Sequence, residues 1–328
     1  MTGSSVRRLA VVALVVAPLI GCTSSPSVQT QRPSSTPPPS TAIAPTMSAS
    51  PRGRSLTVGV RRLVVVDTAA GTPARGSSPA RADRVLPTWV WFPASGPDGS
   101  KALPGPYPLV VFAHGFNATP AMYAPLLREV AAAGYVVAAP EFPISASGRG
   151  GAAREDDLSS QPMDIRATIS TMLALDGRPG WLSERLVRGE IAVMGHSDGG
   201  ETVAGNLLVA RDHDERIRAA VVLSGQLPTW GAFAPPTVPT LVVQGSADSV
   251  NPPALSRALY ERLGEPKWYL DVVGATHLQT ALGNSIAART ERRAVLAFLD
   301  AMLHHDAGAL GRLRRLGDQP GVTRLSHR

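Results

Sequence analysis

Apolar positions along this chain form two kinds of run that take turns. Runs 109–113, 135–139, 191–194, 217–223 and 239–243 are short and largely continuous, rich in Val, Leu, Ile and Ala. That is the pattern of a strand covered on both faces. Segments 121–133, 162–175, 200–210, 253–263 and 285–303 repeat their apolar residues every three or four positions, the stripe of a helix packed on one side. Gly134 stops the first of these helices. Three more strands are expected at 56–66, 85–92 and 267–273. No helical segment separates the first two, so the sheet should start antiparallel. Strand-then-helix order thereafter implies an α/β fold, a mostly parallel eight-stranded sheet with helices on both faces. One domain is expected over 54–306.

The first fifty residues break this pattern. Arg7 and Arg8 precede an apolar run at 9–20, then small residues and Cys22. The run is a dozen residues, short of the ~20 a helix needs to cross a bilayer. Residues 1–22 therefore read as a secretory signal peptide. The junction Leu19-Ile20-Gly21-Cys22 resembles the bacterial lipobox, which implies cleavage and acylation of Cys22. Residues 23–53 are Ser, Thr and Pro with few large apolar side chains, a disordered linker in expectation. A spacer of roughly 30 residues holds a domain a few tens of Å from its anchor. The expected location is the outer face of the cell membrane, with the lipid anchor as the membrane contact.

Composition adds two constraints. With 44% hydrophobic and 17% charged residues the chain is globular in character. Cys22 is its only cysteine, so no internal disulfide can form and the core must be stable by packing. The formal charge is +7, and residues 307–328 hold five arginines against Asp318. Such a tail could touch anionic lipid or nucleic acid. A frayed, solvated end is the expectation, with no nucleic-acid partner.

The chemistry centres on Gly195-His196-Ser197-Asp198-Gly199, after the apolar run 191–194 and before a helical segment. In a tight strand-to-helix turn the chain crowds the positions two before and two after the serine, so glycine suits both. The turn exposes the Ser197 hydroxyl at a helix N-terminus, where negative charge is favoured. A serine nucleophile needs a base and the base needs an orienting acid. Asp248 lies just beyond the 239–243 strand and His277 just beyond the 267–273 strand. His213 and the pair His304–His305 are rival bases. His213 sits among acids after a helix and the pair ends the last helix, so both are expected to be structural. An oxyanion requires preorganised donors. His114-Gly115-Phe116 follows the 109–113 strand and would supply the Phe116 N–H beside that of Asp198. His114 is expected to be structural, and Phe116 to offer its ring to the acyl cleft. The Asp198 side chain either caps its helix or discourages anionic substrates.

These segments, together with Asp157-Leu158-Ser159-Ser160-Gln161-Pro162-Met163-Asp164-Ile165-Arg166, resemble uncapped serine esterases of the α/β-hydrolase superfamily. The similar types are dienelactone hydrolase, chlorophyllase and platelet-activating-factor acetylhydrolase. The resemblance spans about 85–300. It implies an α/β-hydrolase fold and a Ser197–His277–Asp248 triad, without fixing the substrate. Two departures stand out: dienelactone hydrolases use a cysteine nucleophile, and bacterial polyester hydrolases carry a disulfide that a lone cysteine forbids. Only 224–240 separates two strands where relatives insert a lid, so no lid domain and an open cleft for short or accessible acyl esters are expected. The expected activity is a serine carboxylester hydrolase working through an acyl-enzyme, as a monomer. An acyltransferase on the same triad and a non-catalytic surface-binding lipoprotein are the alternatives. With no phosphate-binding glycine loop and no His/Cys/Asp cluster at ligand spacing, no cofactor or metal is expected.

Overall fold

The computed structural model describes residues 55–96, 99–234 and 237–328. The signal peptide, Cys22 and the linker lie outside them. Two long strands open the described chain, β1 (Thr57–Asp67) and β2 (Arg84–Ser95), followed by the two-residue β3 (Lys101–Ala102) and β4 (Tyr107–Ala113). A 3₁₀ turn at Pro120–Tyr123 leads into α1 (Ala124–Ala132), then β5 (Val136–Pro140), α2 (Gln161–Asp176), β6 (Leu186–His196) and α3 (Asp198–Leu208). Next come β7 (Ile217–Leu223), β8 (Thr240–Gly245), α4 (Pro253–Arg262), β9 (Lys267–Val272), the short α5 (Gln279–Leu282) and α6 (Ile286–Leu303). The chain closes with α7 (Ala309–Gly317) and β10 (Thr323–His327).

The sheet order is β1-β2-β5-β4-β6-β7-β8-β9-β10, with β3 on β2. Strands β5, β4, β6, β7, β8 and β9 are parallel, whereas β1, β2 and β10 run antiparallel to their neighbours. The continuous apolar runs are explained by two cores, one on each face. In β4, Val110 and Phe112 enter the core under α1 and α6, while Leu109, Val111 and Ala113 enter the one under α2, α3 and α4. Period-two alternation persists, but both faces are dry, so both sets are hydrophobic. Chain direction reverses across the sheet between β4 and β6. From β4 the chain turns outward to β5, and from β6 it turns the other way to β7. Right-handed crossovers then place α1 and α3 on opposite faces and open a crevice at the strands' C-terminal ends.

The expected eight strands become ten, and the sheet is mixed: six neighbouring strands are parallel, with antiparallel strands at both edges. The two additional strands are β3 and β10, and β10 also corrects the expectation of a frayed tail. Residues 307–328 form α7 and then pair with β9, Thr323 opposite Val272. Ala309, Leu313 and Gly317 are buried along one face of α7. The arginines that suggested a solvated end are largely used in ion pairs: Arg312 with Asp300 and Asp306, Arg324 with Asp271, Arg328 with Glu261. Among the described residues no helix is long and apolar enough to cross a membrane.

Candidate active site

Ser197 sits between β6 and α3 with φ +59 and ψ −123, a left-handed region unusual for a residue with a side chain. The glycines explain why this strained turn survives. A Cβ on Gly195 would overlap the carbonyl of Gly199, and one on Gly199 would overlap the carbonyl of Ala113. The turn is pressed against the end of β4, which brings the loop after β4 to the serine. Gly115 is part of the same fit, since a Cβ there would lie 3.1 Å from Ser197 Cβ.

Three sequence-distant side chains meet here. His277 Nε2 is 2.9 Å from Ser197 Oγ, and His277 Nδ1 is 2.8 Å from Asp248 Oδ2. The other Asp248 oxygen accepts the N–H groups of Val250 and Asn251, each at 2.9 Å, and Gln244 Nε2 donates to Oδ2 at 3.2 Å. Burial raises the Asp248 pKa, but the hydrogen bonds from His277 and the two backbone amides outweigh it and lower the net value. The acid is thus held ionised against the imidazole.

Two backbone amides beside this turn make no backbone hydrogen bond among the described residues. Gly115 N–H donates to Tyr123 Oη and Asn117 N–H to the Ser145 carbonyl, while Phe116 N–H between them has no acceptor within the described protein. Asp198 is the first helical residue of α3, a position whose amide has no intrahelical acceptor. The capping expectation for the Asp198 side chain is not met. Only its own amide supports its carboxylate, no later amide of α3 donates to it, and its Oδ2 is buried without a hydrogen-bond partner. Burial, with Glu155 and Glu201 nearby, pushes its pKa up to about 7.

His114 and His196 are both buried, and desolvation pushes each down to about 4, so both are neutral. Their partners define the tautomers. His114 Nε2 accepts from the Phe142 amide at 3.1 Å, leaving Nδ1–H to donate to the Gly115 carbonyl. His196 Nε2–H donates to the His277 carbonyl at 3.0 Å, so its Nδ1 accepts from the Tyr123 hydroxyl at 3.0 Å. A continuous chain therefore runs from the Gly115 amide through Tyr123 and His196 to the backbone of His277. Thr280 Oγ1 donates to the same carbonyl at 2.9 Å. Sequence reasoning found His196 only as part of the turn and missed Tyr123, Thr280 and Gln244. Nothing in a sequence distinguishes Tyr123 from an ordinary core aromatic.

The rival histidines lie elsewhere. His213 contacts the Asn206 carbonyl at the end of α3, His304 packs on Tyr135, and His305 pairs with Glu190. The 157–166 segment turns out to anchor the wall of the crevice. Asp157 and Asp164 both bind the buried Arg84 of β2, at 2.8 and 2.7 Å. Gln161 bridges Ser145 and Thr202, tying the loop to α3. Among the described residues no helix lies between β7 and β8, and no group of His, Cys, Asp or Glu could hold a metal.

Residues 100–223 match the family model for chlorophyllase, a family of the α/β-hydrolase superfamily. The match includes the loop after β4, the 157–166 segment and the Ser197 turn, and ends before Asp248 and His277. No curated protein matches the chain. The chain thus has a mixed sheet with helices on both faces and, from β3 through β7, a stretch similar to chlorophyllase, an α/β-hydrolase family, and that similarity suggests an esterase-type hydrolase.

Proposed function

We propose that the protein is a serine carboxylester hydrolase that acts through an acyl-enzyme on short or accessible acyl esters. The relay Ser197 Oγ–His277 Nε2, His277 Nδ1–Asp248 Oδ2 is the observation that carries this reading. His277 takes the Ser197 proton as Oγ attacks the ester carbonyl. Asp248 keeps the imidazole tautomer and stabilises the imidazolium. The amides of Phe116 and Asp198 receive the oxyanion. Proton return from His277 releases the alcohol, and a water activated by His277 then hydrolyses the acyl-enzyme. Among the described residues no helix lies between β7 and β8, which supports an open cleft.

Hydrolysis of p-nitrophenyl acetate, butyrate and palmitate by the wild type and by Ser197→Ala tests the proposal. Turnover of the short esters that disappears in the variant is expected. Folded protein with no turnover, or turnover that survives Ser197→Ala, sinks it. Added alcohol acceptors report acyl transfer if ester products replace the free acid. Export and acylation at Cys22 belong to the same reading, supported by the single cysteine after the 9–20 apolar run. Cys22→Ser is expected to shift activity from the membrane fraction to the soluble one.

A further inference from the structure

Eight large hydrophobic side chains are exposed among the described residues, and their distribution is uneven. Val64 and Val66 lie on the edge strand β1. The other six, Phe116, Met122, Val250, Leu255, Leu278 and Ile286, are 39–67% exposed and belong to the loops and helix starts at the C-terminal ends of the parallel strands. Phe116 belongs to the oxyanion loop, Val250 follows Asp248 by two residues, and Leu278 directly follows His277. The 3₁₀ turn bearing Met122 packs on α5, and α5 packs on α6, which Ile286 begins. Isolated exposed apolar residues are ordinary, but a collar confined to one mouth marks an interaction surface.

Charge identifies the partner. Arg289 and Arg293 follow Ile286 at three and seven positions, along one face of α6, and Arg128 is exposed on neighbouring α1. None of the three has a carboxylate partner among the described residues, whereas the acid on this flank, Glu129, is bound by Arg292 at 2.8 Å. Glu155 lies near Asp198, in the loop before α2 on the sheet face away from α1 and α6, so contact falls on the α1–α6 side. We infer that this collar docks onto an anionic lipid surface, with Met122 and Ile286 entering the apolar layer and Arg128, Arg289 and Arg293 meeting the headgroups. Docking points the Ser197 crevice at esters held in the lipid. The inference rests on the esterase reading for the reaction performed there, but binding is measurable without turnover.

With Cys22→Ser as background the full chain has no other cysteine, so single labels are unambiguous. A polarity-sensitive fluorophore is placed at Ile286→Cys, at Met122→Cys, or at the exposed Arg178→Cys after α2 on the far edge. Equimolar phosphatidylglycerol–phosphatidylcholine vesicles should blue-shift the first two and leave the third unchanged. Arg289→Glu with Arg293→Glu should weaken binding by roughly thirtyfold, at about 1 kcal/mol for each basic residue at an anionic surface. No shift at 286 and 122, or an equal shift at 178, overturns the docking. Met122→Ser with Ile286→Ser should slow hydrolysis of a vesicle-embedded ester and spare p-nitrophenyl acetate. Equal loss on both substrates overturns the docking too, because the residues would then line the acyl site. If the label shifts in Ser197→Ala while no ester is turned over by the wild type, the esterase reading fails and the docking stands.

Discussion

Two buried carboxyl settings flank the crevice and are built in opposite ways. Asp157 and Asp164 are almost fully buried and share the Arg84 guanidinium, which donates three charge-assisted hydrogen bonds to them. Asp198, beside Ser197, has two acidic neighbours, no guanidinium, and a buried oxygen without a partner. The first arrangement is what a buried charge requires in order to be tolerated. The second would be selected against on stability alone. The difference separates an anchor, where both carboxylates share one guanidinium although Asp157 Oδ1 has no partner of its own, from the proposed reaction centre, where strain at Ser197 and an acid without a cation coexist within one turn. The surrounding fold must hold that centre in place.

The sharpest break in this comparison is Ser197→Ala. It should lower kcat by roughly 10⁴–10⁶ while the thermal midpoint changes little, because alanine keeps the same Cβ and backbone conformation and only the part-buried Oγ–His277 hydrogen bond is lost. A comparable fall in stability would place Ser197 in the anchor and not in the reaction centre. Arg84→Met is the converse. Two carboxylates are left buried without their cation, which costs about 3–5 kcal/mol in denaturant unfolding. Activity of the fraction still folded should remain close to wild type on p-nitrophenyl acetate.

Tyr123→Phe probes the link between the two halves of the site. It removes the acceptor of the Gly115 amide and the donor to His196. Leaving such groups unsatisfied costs about 1–3 kcal/mol, and kcat should fall with KM little changed, as expected of a residue that positions His277 through its backbone. A pure KM effect would show that the chain of hydrogen bonds does not orient the base.

The smallest effect is expected for Asp198→Asn and depends on pH. Burial raises this carboxyl to about 7, so the folded state favours its neutral form. Its stability contribution is then complete below the ordinary carboxyl range near 4 and is lost as pH climbs to about 7. The variant should therefore match wild type at pH 4 and melt roughly 2–4 °C higher at pH 8, the shift that about 1 kcal/mol produces. Above pH 7 an ionised Asp198 also opposes the oxyanion. The ratio of variant to wild-type kcat/KM should rise up to about tenfold, or ~1.4 kcal/mol, across that pH. A flat ratio would show that the carboxylate does not reach the oxyanion electrostatically.

How much of this was legible beforehand differs from residue to residue. Ser197, its flanking glycines, Asp248 and His277 stood out because each follows an apolar strand and because glycine at 195 and 199 answers a local steric demand. Arg84 could not be read, since an arginine at the start of a strand is ordinarily solvated and its partners lie more than seventy residues away. The last twenty-two residues were misjudged for a related reason. Five arginines resemble a solvated end until Asp300, Asp306, Asp271 and Glu261 are placed opposite three of them.

The sequence by itself determined the order of eight of the ten strands with the helices between them and singled out Ser197, Asp248 and His277, because those follow from short-range apolar periodicity and glycine sterics. Tertiary structure alone decided that β10 closes the sheet, that Tyr123 and His196 connect the Gly115 amide to the His277 backbone, that Asp198 Oδ2 is left without a partner, and that six of the eight exposed large hydrophobics gather at one mouth. Each of these depends on which distant segments the sheet brings side by side, and register between β4, β6, β8 and β9 is set by packing of both faces at once, a global property that no local stretch encodes.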